Sequence, residues 1–77
     1  MSVKPASTRV VGVVQKAVDL ECHVRVVTID SVRLFELRDY IPSLKEYGRG
    51  YWMPLTETAV YGVMGAMNEI LNSEKVA

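Results

Sequence analysis

The spacing of apolar residues along this chain changes period once, from two to between three and four. Thr8 to Gln15, "TRVVGVVQ", and Glu21 to Ile29, "ECHVRVVTI", are short runs rich in β-branched residues and predict strands. Gly12 interrupts the first and marks a bulge or a close backbone approach. Asp30-Ser31 is a two-residue turn of the sort that joins antiparallel strands, although it lacks the glycine of the strongest hairpin signals. Val32 to Ile41 predicts the third strand. Alternation puts Phe35 and Leu37 on one face with Arg33 and Asp39, and Glu36, Arg38 and Tyr40 on the other with Leu34. One face is core, and the other is polar and aromatic.

Ile41-Pro42-Ser43 ends that strand, a loop leads to Gly48-Arg49-Gly50, and Tyr51 to Leu55 predicts a short fourth strand. Thr56 is a good helix N-cap, Glu57 suits the positive end of the helix dipole, and Leu55 is placed to staple against Val60. From about Glu57 to Asn72 the helical period takes over. Val60, Met64, Met67 and Leu71 form one stripe, with Ala59, Val63, Ala66 and Ile70 beside it. The expected class is therefore α+β: a curved four-stranded antiparallel sheet followed by one C-terminal helix. Residues 8–72 form the single ββββα domain of this expectation, between a flexible arm at 1–7 and a tail at 73–77.

Two apolar stripes are more than one small sheet covers, so the helix expects a partner unless the sheet curls far enough to wrap it. Gly62 and Gly65 suit close helix pairing, which would offset the helix propensity they forfeit, about 1 kcal/mol each. Length points the same way. A chain of 77 residues buries only about 60–65% of its unfolded surface and commonly needs a staple. Cys22 is the single cysteine, so no intramolecular disulfide is possible. It neighbours the single histidine, His23, on a strand; the two side chains point to opposite faces and suit no shared metal. Self-association remains, and the expected homodimer interface is Val60, Val63, Met64, Met67, Ile70 and Leu71.

Composition narrows the function mainly by exclusion. Hydrophobic residues are 49% of the chain and charged residues 23%, which is globular rather than disordered. The N-terminal residues carry no apolar run of a signal peptide, and the longest nearly apolar stretch, Ala59 to Met67, is far short of a membrane span, so a soluble cytoplasmic protein is expected. No nucleophile has a base in reach and no carboxylates pair, so neither an enzyme nor a cofactor is expected. Gly62-Val63-Met64-Gly65 matches a nucleic-acid-binding G-x-x-G loop only superficially, since it lies within the predicted helix. Gly48-Arg49-Gly50 lacks the lysine, the spacing and the following helix of a P-loop. Nine basic and nine acidic residues balance overall, yet residues 1–49 carry a net +2 and residues 50–77 a net −2.

Within the more basic half, "ELRDYIPSLKEYGRGYWMPLTE" (Glu36 to Glu57) interleaves Arg38, Lys45 and Arg49 with Tyr40, Tyr47, Tyr51 and Trp52. The plain structural explanation is that Tyr40 and Trp52 pack at the rim of the core and Arg38 pairs with a nearby acid such as Glu36. The functional one is single-stranded nucleic acid, whose bases each gain about 1–3 kcal/mol by stacking on a ring and whose phosphates seek cations. Candidate phosphate contacts are Arg25, Arg33, Arg38, Lys45 and Arg49, with Arg38 and Arg49 foremost; candidate stacking platforms are Tyr40, Tyr47 and Trp52. Alternation forbids all five cations one face. The alternatives are a protein-interaction module docking a polymerase or replication protein through its aromatic loop, and an RNA binder of the same fold.

"VRLFELRDYI" (Val32 to Ile41), the short loop, "YGRGYWMPLTE" (Tyr47 to Glu57) and the C-terminal helix together resemble the single-stranded-DNA-binding domain of the transcription coactivator positive cofactor four. That family shows an apolar-acidic-apolar-Arg-Glu-Tyr strand, then Pro-Gly-Arg-Lys-Gly, a short strand and a helix; the likeness is close over residues 32–72. The resemblance implies a homodimer paired through its helices, with curved sheets forming a channel for single-stranded DNA. It matches Arg38 to the family's strand arginine and Arg49 to its loop arginine, both phosphate contacts, and Tyr40 to its strand tyrosine. Ile41 stands where the family carries a stacking tryptophan, so Tyr47, Tyr51 or Trp52 must fill that role. The loop lacks the family's lysine, and the serine-rich acidic N-terminal region of the eukaryotic coactivators is absent. The chain looks like a minimal bacterial or bacteriophage member, for which the family implies work in replication, recombination or transcription. A dimer that holds two strands also suits duplex melting or annealing.

Overall fold

β-Branched residues spaced for strands, with turn-forming residues between them, produce an antiparallel meander. In the computed structural model, which describes residues 7–74, β1 (Ser7–Ala17), β2 (Leu20–Ile29), β3 (Val32–Ile41) and β4 (Glu46–Pro54) pair in the order β1-β2-β3-β4, and α1 (Glu57–Glu74) follows. The α+β expectation is met. α1 runs two residues past the predicted Asn72, so Ser73 and Glu74 are helical rather than tail. Ser7 belongs to β1. The rest of the expected arm, residues 1–6, and residues 75–77 lie outside the described residues.

Each turn has a local cause. Asp30 (φ 49°) and Ser31 (φ 67°) both adopt the left-handed conformation, the signature of the tight hairpin turn that matches strand twist. At the opposite end, the Ser43 backbone N–H donates to Asp19 Oδ1 at 2.9 Å and the Ser43 hydroxyl donates to Asp19 Oδ2. Those two bonds tie the β1–β2 turn to the β3–β4 turn. The ladder slips between Val10 and Gly12 where β1 pairs with β2, so the bulge announced by Gly12 is present, with Val11 as the extra residue.

β4 departs most from expectation. It begins at Glu46, five residues before the predicted Tyr51, and the turn contracts to Pro42–Lys45, closed by Leu44 N–H to Ile41 O and Lys45 N–H to Pro42 O, both 3.2 Å. The glycines that suggested a loop instead accommodate a bulge in β4. Arg38 pairs with Gly50 but Tyr40 with Tyr47, so β4 carries one extra residue there.

The helix starts as its sequence predicts: Ala59 N–H donates to Thr56 Oγ1 at 3.1 Å, and Val60 N–H makes the first helical bond, to Thr56 O at 2.9 Å. Leu55 and Val60 line the same cleft, as a staple requires. No helix among the described residues is long and apolar enough to cross a membrane.

The core is unusually thin. Val27 is the only hydrophobic residue fully buried among the described residues, and α1 has no buried residue at all. The strands contact each other extensively, whereas the helix meets them sparsely. Between them an apolar groove of about 290 Å³ stays open, lined by Val24, Val26, Phe35 and Leu37 from the sheet and by Val60 and Val63 from the helix. The radius of gyration is 14.3 Å, against about 11 Å for a compact domain of this length.

Two substitutions probe these local causes by urea unfolding. Ser31→Gly removes the penalty for a left-handed non-glycine residue and should raise stability by about 1 kcal/mol. Thr56→Ala removes the cap and should lower it by about 1 kcal/mol.

Candidate nucleic-acid interface

Strand register arranges the polar face in rows. Arg25 on β2, Glu36 on β3 and Trp52 on β4 lie directly opposite one another; His23, Arg38 and Gly50 form the next row, and Glu21, Tyr40 and Tyr47 the one after. The β4 bulge decides the last row. Tyr47 and Gly50 are three residues apart and would face opposite ways on a regular strand; the extra residue brings both to the Arg38–Tyr40 side.

Glu36 is the centre of this surface and is wholly buried. One carboxylate oxygen, Oε1, lies 2.6 Å from Arg25 Nε in an ion pair, although that N–H is not aligned for a hydrogen bond. The other, Oε2, accepts from Arg38 Nη2 at 2.9 Å and from Trp52 Nε1. Arg38 also donates through Nη1 to Gly48 O at 2.7 Å. Burial alone would raise the Glu36 carboxyl, but the hydrogen bonds from Arg38 and Trp52 and the charges of Arg25 and Arg38 outweigh it and hold it below the usual range. Reciprocally, the hydrogen bond to Glu36 raises the Arg38 guanidinium.

An aromatic cluster adjoins this network. His23 stacks on Tyr40 with ring centroids 4.4 Å apart and meets Tyr47 edge-on at 5.3 Å. Its Nε2 lies 2.9 Å from Glu21 Oε1 and its Nδ1 lies 3.0 Å from the Tyr47 hydroxyl. With the Nε2 proton directed at the carboxylate, Nδ1 accepts from that hydroxyl. The Arg25 guanidinium sits 4.4 Å above the Tyr47 ring, a cation–π contact that joins the two clusters.

The residues expected to bind nucleic acid are thus divided. Arg25, Arg38, Tyr40, Tyr47 and Trp52 converge on one face. Arg33 alternates to the other. Arg49 also lies on that opposite side, beside Lys16, Leu37, Asp39 and Tyr51, so the two foremost arginines do not share a face. Lys16 there pairs with Asp39 at 2.6 Å, and that hydrogen bond raises its ammonium pKa. Lys45 is exposed in the β3–β4 turn at φ 53°. Ile41 follows Tyr40 on the same strand and alternates to the helix side, so a ring there would not extend the Tyr40 platform.

Glu21 and His23 were not singled out for this surface from sequence. Their period-two spacing was visible, but their meeting with Tyr40 and Tyr47 depends on register between strands. The pairing of Arg38 with Glu36, considered as the plain structural explanation, is present.

Glu36→Ala removes the counter-charge of two arginines and the acceptor of the Arg38 and Trp52 hydrogen bonds, and should cost about 3–5 kcal/mol in chemical denaturation. Acid should act at the same point. Because the folded carboxyl lies below its ordinary value of 4.5, its contribution is complete above that pH and is lost as pH falls through the folded value. The natural protein should therefore lose more stability between pH 5 and pH 3 than Glu36→Gln (window set on the order of the ordinary carboxyl range); equal losses would contradict the assignment.

No family model matches this chain, and no curated protein or solved structure shows significant similarity to it.

Proposed function

We propose that this protein is a homodimeric, non-catalytic binder of single-stranded DNA with little sequence preference, serving replication, recombination or transcription and suited to duplex melting or annealing. The observation that carries the reading is the gathering of Arg25, Arg38, Tyr40, Tyr47 and Trp52 on one sheet face. Trp52 is 49% exposed and Tyr47 41%, so both offer ring surface to a base while neighbouring guanidinium groups offer charge to the backbone. Arg25 and Arg38 are the phosphate contacts in this proposal, with Lys45 at the rim. Arg33 and Arg49 have no part on this face. The resemblance of residues 32–72 to the positive cofactor four domain supports the same reading.

Dimerisation is supported by what the single chain leaves uncovered. Its accessible surface is 6088 Å², about 1,400 Å² more than expected for a compact monomer of this size. A standard interface hides about 800 Å² per partner. Much of the surplus is apolar: Tyr61, Met64, Met67, Ile70 and Leu71 are each at least half exposed along α1. Pairing of two helices would cover this stripe and close the groove beneath it, leaving both polar faces free.

Affinity for oligo-dT should fall with salt at a logarithmic slope of about −0.7 per phosphate neutralised, and binding should quench the single tryptophan, Trp52. Arg38→Ala should weaken binding by about tenfold or more, the scale of one charge-assisted hydrogen bond, with the dimer mass unchanged. Duplex bound as tightly as single strand would refute the proposal, and no response to oligonucleotide would favour a protein-docking module. RNA competing better than DNA would reassign the ligand. Met67→Glu should halve the mass measured by light scattering; an unaltered dimer would place the interface elsewhere.

A further inference from the structure

We propose that Glu36 is a positioning residue, which holds Arg25, Arg38 and Trp52 in the orientations that receive a strand while withdrawing one unit of positive charge from the binding face. The inference rests on the single-stranded-DNA reading and goes beyond it, because simple electrostatics gives the opposite expectation. A carboxylate within a phosphate-binding surface should weaken binding. Its retention therefore needs another cause.

Stability alone is a poor one. A buried ion pair gains little over well-packed apolar residues of similar volume, and a strand face could carry such residues here. Glu36 is wholly buried and has no surface with which to touch a ligand. What it does is orient its neighbours. Arg38 is held at two points, by Glu36 at 2.9 Å and by the Gly48 carbonyl at 2.7 Å.

Gly50 leaves the room that this orientation of Arg38 occupies. A Cβ there would lie 2.8 Å from Arg38 Cζ and 2.9 Å from its Nε, so the guanidinium passes directly over the Gly50 backbone. Gly50 does not have positive φ. A side chain there would therefore displace Arg38 without straining the backbone. Trp52, on the far side of Glu36, is pinned by its indole N–H with much of its ring still open. Side chains immobilised before binding lose little further freedom when the ligand arrives.

The test compares oligo-dT affinity and salt slope for the natural protein, Glu36→Gln and Gly50→Ala, with folding and dimer mass measured alongside. Glu36→Gln removes a negative charge yet should bind about tenfold more weakly, the scale seen when outer partners that orient metal ligands are removed, with a shallower salt slope. Gly50→Ala leaves every charge in place and should also bind more weakly, through displacement of Arg38. Tighter binding or a steeper slope in Glu36→Gln would show that the carboxylate is only an opposing charge and overturn the proposal. Should Glu36→Gln not fold, Gly50→Ala decides, and natural affinity in that variant overturns it. Absence of binding by the natural protein at low salt would instead overturn the single-stranded-DNA reading and this inference with it.

Discussion

The polar face of this protein depends on a carboxylate that cannot be reached by water. Glu36 lies on an inner strand of a four-stranded sheet, with Arg25 opposite it on one side and Trp52 on the other. A lone carboxylate in that position would be neutralised or expelled. Two guanidinium groups and an indole N–H instead compensate it, and in doing so they tie β2, β3 and β4 together through side chains as well as backbone. The chain of contacts continues through Arg25 to Tyr47 and from there to His23, Glu21 and Tyr40. Removing the carboxylate would therefore loosen every group on the face.

Committing one face of the sheet to a polar network has a structural consequence on the other. A small α+β domain normally draws its stability from apolar surface packed between sheet and helix. Here Val24, Val26, Phe35 and Leu37 face a helix that approaches but does not seal them, and the helix keeps Met64, Met67, Ile70 and Leu71 exposed. Hydrogen bonds and ion pairs on the polar side replace interactions with water and return little net stability. Stabilisation has to come from apolar area, and much of that area stays uncovered along the helix. The polar face and the uncovered apolar area are thus two sides of one division of the sheet.

Much of this was legible from residue spacing. Alternation in "VRLFELRDYI" assigned Phe35 and Leu37 to one face and Glu36, Arg38 and Tyr40 to the other, and Asp30-Ser31, Gly12, Leu55 and Thr56 marked a turn, a bulge, a staple and a cap. The start of β4 was not legible, because Gly48-Arg49-Gly50 reads as a loop whereas one glycine accommodates a bulge and the other makes room for Arg38. That bulge also governs which of Tyr47, Arg49 and Tyr51 join the polar face, since a single extra residue inverts the alternation. The likeness of the loop arginine to Arg38 in chemistry could not reveal that Arg49 faces the other way. Cross-strand neighbours such as Glu21 and Tyr40 belong to register, which no single segment encodes.

The charges on this face refine what zero net charge means for the proposed binding of a single strand. Arg25 and Arg38 are set against Glu36 and Glu21, with Lys45 at the edge. A face so nearly balanced projects little long-range field, and at physiological salt the screening length is about 8 Å. Steering of a polyanion from a distance would be weak. Attraction would begin only when phosphates come close enough to meet oriented N–H groups, and the exposed rings of Trp52 and Tyr47 would have to contribute a large share of the affinity. Such a surface discriminates by geometry more than by charge: a duplex presents the same phosphates but keeps its bases stacked on one another, whereas a single strand can turn them onto the tyrosine and tryptophan rings. Under the proposed function, a near-neutral face would favour the single-stranded form, because it would withhold the nonspecific electrostatic binding that makes every nucleic acid an acceptable partner.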